Sequence, residues 1–412
     1  MPDKRQVIAD TFDHTRLKSP QLPLLAYAFR PTFLLLSAYV VVSIVLWGMV
    51  WSGLLSISFM QDVLTWHIYE MLFGVASGGI IGFMLTALPE FFPDLKPITG
   101  RTLLALVALW FFGRIGFWLI DFLGVLTVAT LHLPLLLGVI VWAIPPVWRD
   151  PQKRHLSLVV TLAIIWFIQC VFFASKLGVL HENPQAALYA SLGAFMVLVL
   201  LTLRRVSTAI VNNWLEQRQI DEIFIARPPR YNIAILCIGL FTVSEYLMPG
   251  NRVLAWLGFA VTAALLNTLN DLFLTKAVVI FDTFILPLAL VLIFISLGYG
   301  LMGFAYLENQ PYQVSHFRHF LTTGALGLAF YSVMIIVGMV HTGRPLVANN
   351  WIRASIMLIA IATLIRASIP FFMPYSQWMY LASALIWALP FLIYFVQFYP
   401  MLSRPRIDGL PG

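Results

Sequence analysis

Long apolar runs, separated by short stretches of Pro, Gly and charged residues, fill this sequence from residue 32 to residue 399. A helix needs about 20 mostly apolar residues to cross the hydrocarbon core of a bilayer. The runs therefore predict an all-α polytopic membrane protein with about twelve transmembrane helices. They lie at 32–53, 67–88, 102–121, 124–146, 156–177, 185–203, 231–248, 252–274, 279–305, 319–341, 353–371 and 376–399.

Composition supports the bilayer assignment. Of the 412 residues, 60% are apolar and only 10% are charged, whereas soluble domains carry about 25% charged residues. So few charges cannot cover a surface that faces water. Cys170 and Cys237 lie in separate apolar runs without a CxxC pair, so no disulfide framework is predicted.

The basic residues predict an orientation. Of the 25 Lys and Arg, Lys176, Arg252 and Arg318 lie on one side, Arg114 and Arg366 lie inside predicted spans, and all the others lie in the tails and on the tails' side. Positively charged connections stay cytoplasmic. We therefore predict that both termini are cytoplasmic.

This orientation divides the chain into a cytoplasmic tail at 1–31, a transmembrane domain at 32–399 and a second tail at 400–412. The longest cytoplasmic connection, between Arg204 and Arg230, has a pattern that fits one short interfacial helix. No basic patch interleaved with aromatic residues occurs, which argues against binding of nucleic acid.

Ionisable residues gather in the outer half of the predicted spans, where such residues are usually functional. They come from several helices at similar depth, which favours one shared layer over unrelated accidents. The layer contains His67 with Glu70 one turn deeper, His319 with His316 one turn before it, His132, Arg114 and Arg366.

The residue types in this layer suit a haem. Imidazole is a standard axial ligand of haem iron, and arginine is the usual partner of carboxylates such as haem propionates. Two alternatives remain open. Each histidine could be a structural hydrogen-bonding residue, and Arg114 and Arg366 could pair with Glu70 or Asp121.

Two further features follow from helix geometry. His341 comes 22 residues after His319, a separation of ~33 Å in a continuous helix, so these two cannot bind the same metal ion. Gly74, Gly78 and Gly82 form a stripe on one helix face below His67. The stripe predicts either a groove for a flat macrocycle or ordinary packing of small residues, and we favour packing.

Six segments, in this order, resemble the NnrS family across nearly the whole chain. They are "AFRPTFLLL", "WHIYEMLFGVASGGIIGFMLTALPE", "LWFFGR", "HFLTTGALGL", "HTGRPL" and "RPRIDGLPG". The resemblance implies a polytopic inner-membrane protein of bacteria that contains haem and copper. It also implies a link to nitric-oxide tolerance and denitrification.

Several residues match family motifs. His67 and Glu70 match the first His and the Glu of W-H-x-H-E-M, and His319 matches the His of H-A-L-T-x-G. Arg114 matches L-x-x-G-R, and His341 belongs to H-T-G-R-P. The resemblance thus implies metal binding by His67, His319 and His341. Together with the shared depth of the ionisable residues in the predicted spans, the resemblance implies cofactor binding by His67, His319, Glu70, Arg114 and Arg366.

Two departures from the family pattern reduce the number of imidazoles. Tyr69 replaces the second His of the family's W-H-x-H-E-M, and the ninth span contains no histidine. We therefore expect fewer metal centres than in relatives, with haem better supported than copper. The chain contains no CxxCH motif for covalent attachment, so the expected haem is of the b type.

The function expected from the resemblance is the binding or turnover of nitric oxide at a membrane-buried haem. No catalytic acid–base pair is visible, so the sequence leaves open whether the protein is a haem-dependent oxidoreductase or a binding or protective protein, and it does not identify an electron donor. The alternative from another class is a transporter or metal-delivery protein, with intramembrane His, Glu and Arg along its path.

Overall fold

The computed structural model describes residues 22–57 and 62–410. Twelve long α-helices make up most of this part of the chain, in the order of the predicted spans. They are α1 Phe29–Trp51, α2 Val63–Phe91, α3 Gly100–Trp118, α4 Val125–Arg149, α5 Leu156–Lys176, α6 Pro184–Gln217, α7 Pro228–Leu247, α8 Val253–Leu269, α9 Leu286–Leu307, α10 Pro311–Val340, α11 Asn350–Ser368 and α12 Ser376–Leu402.

Eleven of these helices, all except α7, are long and apolar enough to cross a membrane. Helix α7 lies where the seventh span is predicted, but its two ends carry Arg230 and Glu245. The prediction of an all-α polytopic membrane protein is therefore confirmed. The cytoplasmic location of the termini stays a prediction, as do the tails at 1–31 and 400–412, of which 1–21 and 411–412 lie outside the described residues.

Three predicted boundaries are wrong. Helix α9 begins at Leu286 rather than at 279, because Pro287 suits a first helical turn and Asp282 caps the preceding turn through the Phe284 amide at 2.9 Å. Helix α6 continues to Gln217, so no separate interfacial helix follows Arg204. Its last turns are amphipathic and need no break.

The third boundary concerns α10, which begins at Pro311. The prediction placed Arg318 in the connection before this helix. In the structure Arg318 lies inside the helix, and its side chain is only 11% exposed because Glu245 of α7 pairs with it.

Helices α2, α6, α9 and α10 form the interior of the bundle. Of the most apolar 18-residue stretch of each helix, 89% is buried in α2 and 67% in each of the other three. In the remaining spanning helices the buried share is 39–44%. The peripheral helices therefore present much of their apolar surface to lipid. Helix α12 packs along α1, which brings the first and the last of the long helices together.

Two interior helices contain π-helical segments, Glu70–Ala76 in α2 and Phe320–Leu326 in α10. Such segments change the backbone hydrogen-bond pattern and often mark functional sites. In each segment a tryptophan of a neighbouring helix donates to a main-chain carbonyl. Trp110 Nε1 lies 3.0 Å from the Gly74 oxygen, and Trp387 Nε1 lies 2.9 Å from the Thr323 oxygen. These bonds satisfy backbone groups that hydrocarbon could not.

Candidate functional site

A cavity of about 230 Å³ lies among α1, α2, α6, α10, α11 and α12. Its walls are mostly apolar, with Leu72, Val75 and Leu326 among the lining residues. Its ionisable groups are concentrated on a few side chains of five helices. They are His67, Tyr189, Tyr312, His316, Arg318, His319, Arg366 and Tyr380. The cavity thus combines an apolar body with imidazole and guanidinium groups, the pattern of a small-molecule or cofactor site.

His67 comes from α2, immediately before its π-helical segment. Its ring stacks on the Trp47 indole of α1, with centroids 3.9 Å apart and planes 2° from parallel. The His67 Nδ1 atom is buried and has no hydrogen-bond partner. Buried polar atoms in proteins are nearly always satisfied, so this nitrogen indicates a functional role.

His319 precedes the π-helical segment of α10 and lines the same cavity. Its Nδ1 atom lies 2.9 Å from the main-chain oxygen of Ser315. A carbonyl oxygen can only accept, so Nδ1 carries the proton and Nε2 keeps its lone pair. This tautomer, held by a backbone carbonyl, is the one that metal-binding histidines commonly use.

Arg366 of α11 supplies positive charge to the cavity. Its Nη1 lies 2.7 Å from Nδ1 of His316, and its guanidinium lies 4.8 Å from the centre of the Tyr380 ring. Because a guanidinium only donates, His316 accepts through Nδ1. Within the described ranges no carboxylate forms an ion pair with Arg366. A guanidinium so placed favours an anionic group of a ligand.

Glu70 and Arg114 form a second cluster, which does not line the cavity. Glu70 is fully buried, and Arg114 Nη1 lies 3.0 Å from both of its carboxylate oxygens. The Tyr39 hydroxyl also donates to Glu70, and it accepts from Trp118 Nε1 at 2.8 Å. Of the alternatives for Arg114, pairing with Glu70 is therefore the arrangement in the structure.

His132 belongs to this second cluster. Its Nε2 lies 2.7 Å from the Gly113 oxygen, so Nε2 donates and Nδ1 accepts. Nδ1 receives bonds from Arg114 Nη2 at 3.0 Å and from the Tyr69 hydroxyl at 2.7 Å. Both nitrogens of His132 are therefore engaged by protein groups.

The glycine stripe of α2 faces protein side chains. A methyl group at Gly74 would lie 2.5 Å from Arg114 Nη1 and 2.5 Å from Glu70 Oε2, and one at Gly78 would lie 2.7 Å from Trp110 Nε1. The interpretation as packing of small residues is confirmed, and none of the three glycines lines the cavity.

His341 lies at the opposite end of α10 from His319. Its Nδ1 lies 3.0 Å from Glu90 Oε1, and its ring packs against Phe29 with centroids 5.6 Å apart. Across residues 22–57 and 62–410, no three His, Cys, Asp or Glu side chains come together as ligands for a metal ion. Copper binding, and metal binding by His341, stay predictions from the resemblance.

Comparison with known proteins identifies the family of this chain. The family model described as NnrS protein matches residues 23–406, which is nearly the whole chain. The chain belongs to the NnrS family. A separate comparison with curated proteins found no match.

The main departure from the NnrS motif can now be located. Tyr69, at the position of the second motif histidine, stacks on Phe117 with ring centroids 3.9 Å apart. Its hydroxyl contacts His132, and it accepts a bond from Gln169 Nε2 at 2.9 Å. This NnrS protein therefore uses position 69 for the cluster behind α2, away from the cavity.

Sequence reasoning missed a third polar group, next to the cavity. Arg318 contacts both carboxylate oxygens of Glu245, at 2.8 and 3.1 Å, and the Tyr306 hydroxyl donates to Glu245 at 2.5 Å. The Arg318 guanidinium lies 4.2 Å from the centre of the Tyr189 ring. One signal in the sequence could have indicated this pair: Glu245 lies near the end of one predicted span, and Arg318, of opposite charge, lies directly before another on the same predicted side.

Proposed function

We propose that this NnrS protein binds a b-type haem in the cavity between α2 and α10 and serves the nitric-oxide response in the inner membrane of bacteria. One observation carries the proposal: His67 and His319, from two different helices, line one apolar cavity together with Arg366. Family membership supports the same conclusion.

The cavity residues fit the chemistry of the cofactor. His319 offers the Nε2 lone pair, and His67 has a buried nitrogen that lacks a partner. Arg366, which forms no ion pair with a carboxylate among the described residues, suits a propionate. When bound, the haem iron supplies a coordination position for nitric oxide.

The chain's own residues hold and position this group. The Ser315 carbonyl fixes the tautomer of His319, and the Trp47 indole restricts the ring of His67. Apolar walls exclude water, and an uncharged molecule such as nitric oxide can enter from the lipid. The proposed activity is binding. Oxidation or reduction of nitric oxide would need an electron donor or acceptor in addition.

The absorption spectrum of protein purified in detergent tests the proposal and separates it from transport. We expect a Soret band that shifts on reduction and again with nitric oxide, and we expect acid–acetone to extract the pigment because no covalent link is predicted. Colourless, folded protein from cells supplied with a haem precursor would contradict the proposal and favour the transporter.

A matched pair of variants tests the role of Arg366. Arg366→Gln should lower the haem content, since it removes the charge proposed to face a propionate. Arg252→Gln changes an exposed arginine in the connection after α7 and should leave the haem content unchanged. Equal haem content in both variants would remove Arg366 from the site.

A further inference from the structure

A second cavity, of about 70 Å³, lies deeper along the same interior helices. It is reached by following α2 from His67 to Ile80 and α10 from His319 to Val333. Helix α6 lines a third side, through Phe195, Leu198 and neighbouring residues. The two cavities therefore lie one after the other inside the bundle.

The chemistry of the lining excludes a site for water or ions. Among the described residues that line this cavity, only Thr202 carries a hydroxyl, and its Oγ1 donates to the main-chain oxygen of Leu198 at 2.9 Å. A buried water needs two to four polar partners, and apolar cavities without them stay dry and bind apolar molecules. A volume of about 70 Å³ is several times the roughly 10–15 Å³ that a water-sized molecule requires.

The second cavity shares two lining residues with the histidine cavity. Leu326 and Phe330 of α10 line both cavities. A methyl group at position 79 would lie 2.8 Å from the Phe330 ring, so Gly79 is what allows the ring to lie against α2. Phe330 is half-buried, as expected for a side chain between two open spaces.

We propose that the second cavity is a binding site for a small, uncharged, apolar gas molecule, and that gas passes from it to the histidine cavity at Leu326 and Phe330. The binding site stands on the volume and lining of the cavity alone. The passage rests on the proposed function, because it requires a gas-binding group in the histidine cavity.

Xenon is a direct probe of the binding site. Crystals of the full chain under xenon pressure should show an anomalous peak among Ile80, Leu198 and Val333. Ala329 lines this cavity but not the first, so Ala329→Leu should abolish the peak. Ala105→Leu, the same change at an exposed position of α3, should retain it. No peak in the wild type, a peak that survives Ala329→Leu, or ordered water or an acyl chain in the cavity would overturn the proposal.

Flash photolysis of the nitric-oxide complex tests the passage. Filling the cavity with Ala329→Leu should slow association and dissociation by the same factor, at least threefold, and leave the Kd unchanged, whereas Ala105→Leu should change neither rate. Unchanged rates in Ala329→Leu would overturn the passage. Protein without haem would contradict the proposed function, and the xenon experiment would still decide the binding site.

Discussion

Replacing Gly74 with alanine should destabilise the protein through the buried Glu70–Arg114 pair. The new methyl group would lie 2.5 Å from Arg114 Nη1 and from Glu70 Oε2, where ordinary van der Waals contact begins at 3.4 Å. Both the nitrogen and the oxygen must therefore move, each by about 0.9 Å. A shift along the bond would lengthen the 3.0 Å contact to about 3.9 Å, beyond the range of hydrogen bonds.

The size of the effect follows from the burial of the pair. Glu70 is 0% and Arg114 4% exposed, so a separated pair cannot recover its solvation from water. Breaking a buried ion pair costs about 3–5 kcal/mol. That cost applies when one partner is removed; Gly74→Ala keeps both charged groups and only separates them, so we expect it to lower the free energy of unfolding by less than this.

Gly138→Ala is the matched control. Gly138 lies within α4, and a methyl group there would meet nothing within 4 Å. Alanine is a better helix former than glycine by about 0.8–1.0 kcal/mol, so this variant should be neutral or slightly more stable. Equilibrium unfolding in mixed micelles of increasing SDS content measures both variants. If Gly74→Ala is as stable as Gly138→Ala, the close packing of the pair on Gly74 is refuted.

Three further predictions concern other parts of the molecule. Glu245→Gln should lower the free energy of unfolding by about 3–5 kcal/mol in the same assay, because it leaves a buried arginine without its charge partner; a change below about 0.5 kcal/mol would contradict this. In intact cells, a cysteine placed at 308–310 should react with membrane-impermeant thiol reagents and one at 151–154 should not, since both segments are exposed connections, and the reverse pattern would refute the predicted orientation. The hydrogen bond from Arg406 lowers the pKa of Asp408 to about 2. This contact is therefore complete above the ordinary carboxyl pKa of about 3.9 and is lost as the pH falls through about 2, so Asp408→Asn should expose the bond after Arg406 to trypsin at neutral pH, and an unchanged cleavage rate would contradict the contact.

The depth of the site could be predicted from the sequence. His67 and His319 each lie near the start of an apolar run, and the two runs are predicted to cross the membrane in the same direction. The sequence therefore predicts both residues at the same depth. Both residues line the cavity as a result. The same reasoning separated His341, which lies at the far end of α10 with Glu90.

The direction in which side chains point could not be predicted in this way. Regular helical spacing places His67 over Gly74 on one face. The π-helical segment Glu70–Ala76 lies between them and changes the register. His67 therefore faces the cavity, whereas Gly74 faces Arg114. For the same reason Arg114 shares the depth of the histidines but not their cavity.

Tertiary pairing was the other missing information. The sequence predicts Arg318 in a connection, because a charge usually ends an apolar run. Pairing with Glu245 of another helix allows it to lie within α10, with its side chain only 11% exposed. A single sequence does not show which opposite charges meet in the fold, so the partner of Arg318 could only be read from the structure.

The haem content and absorption spectrum of purified histidine variants test most directly whether His67 and His319 would hold a haem in their shared cavity. We expect His67→Ala and His319→Ala each to lose haem or change the spin state of the iron. His181→Ala, in an exposed connection, and His341→Ala, at the other end of α10, should keep the wild-type spectrum. Folded His67→Ala and His319→Ala proteins with wild-type haem content and spectrum would contradict the claim.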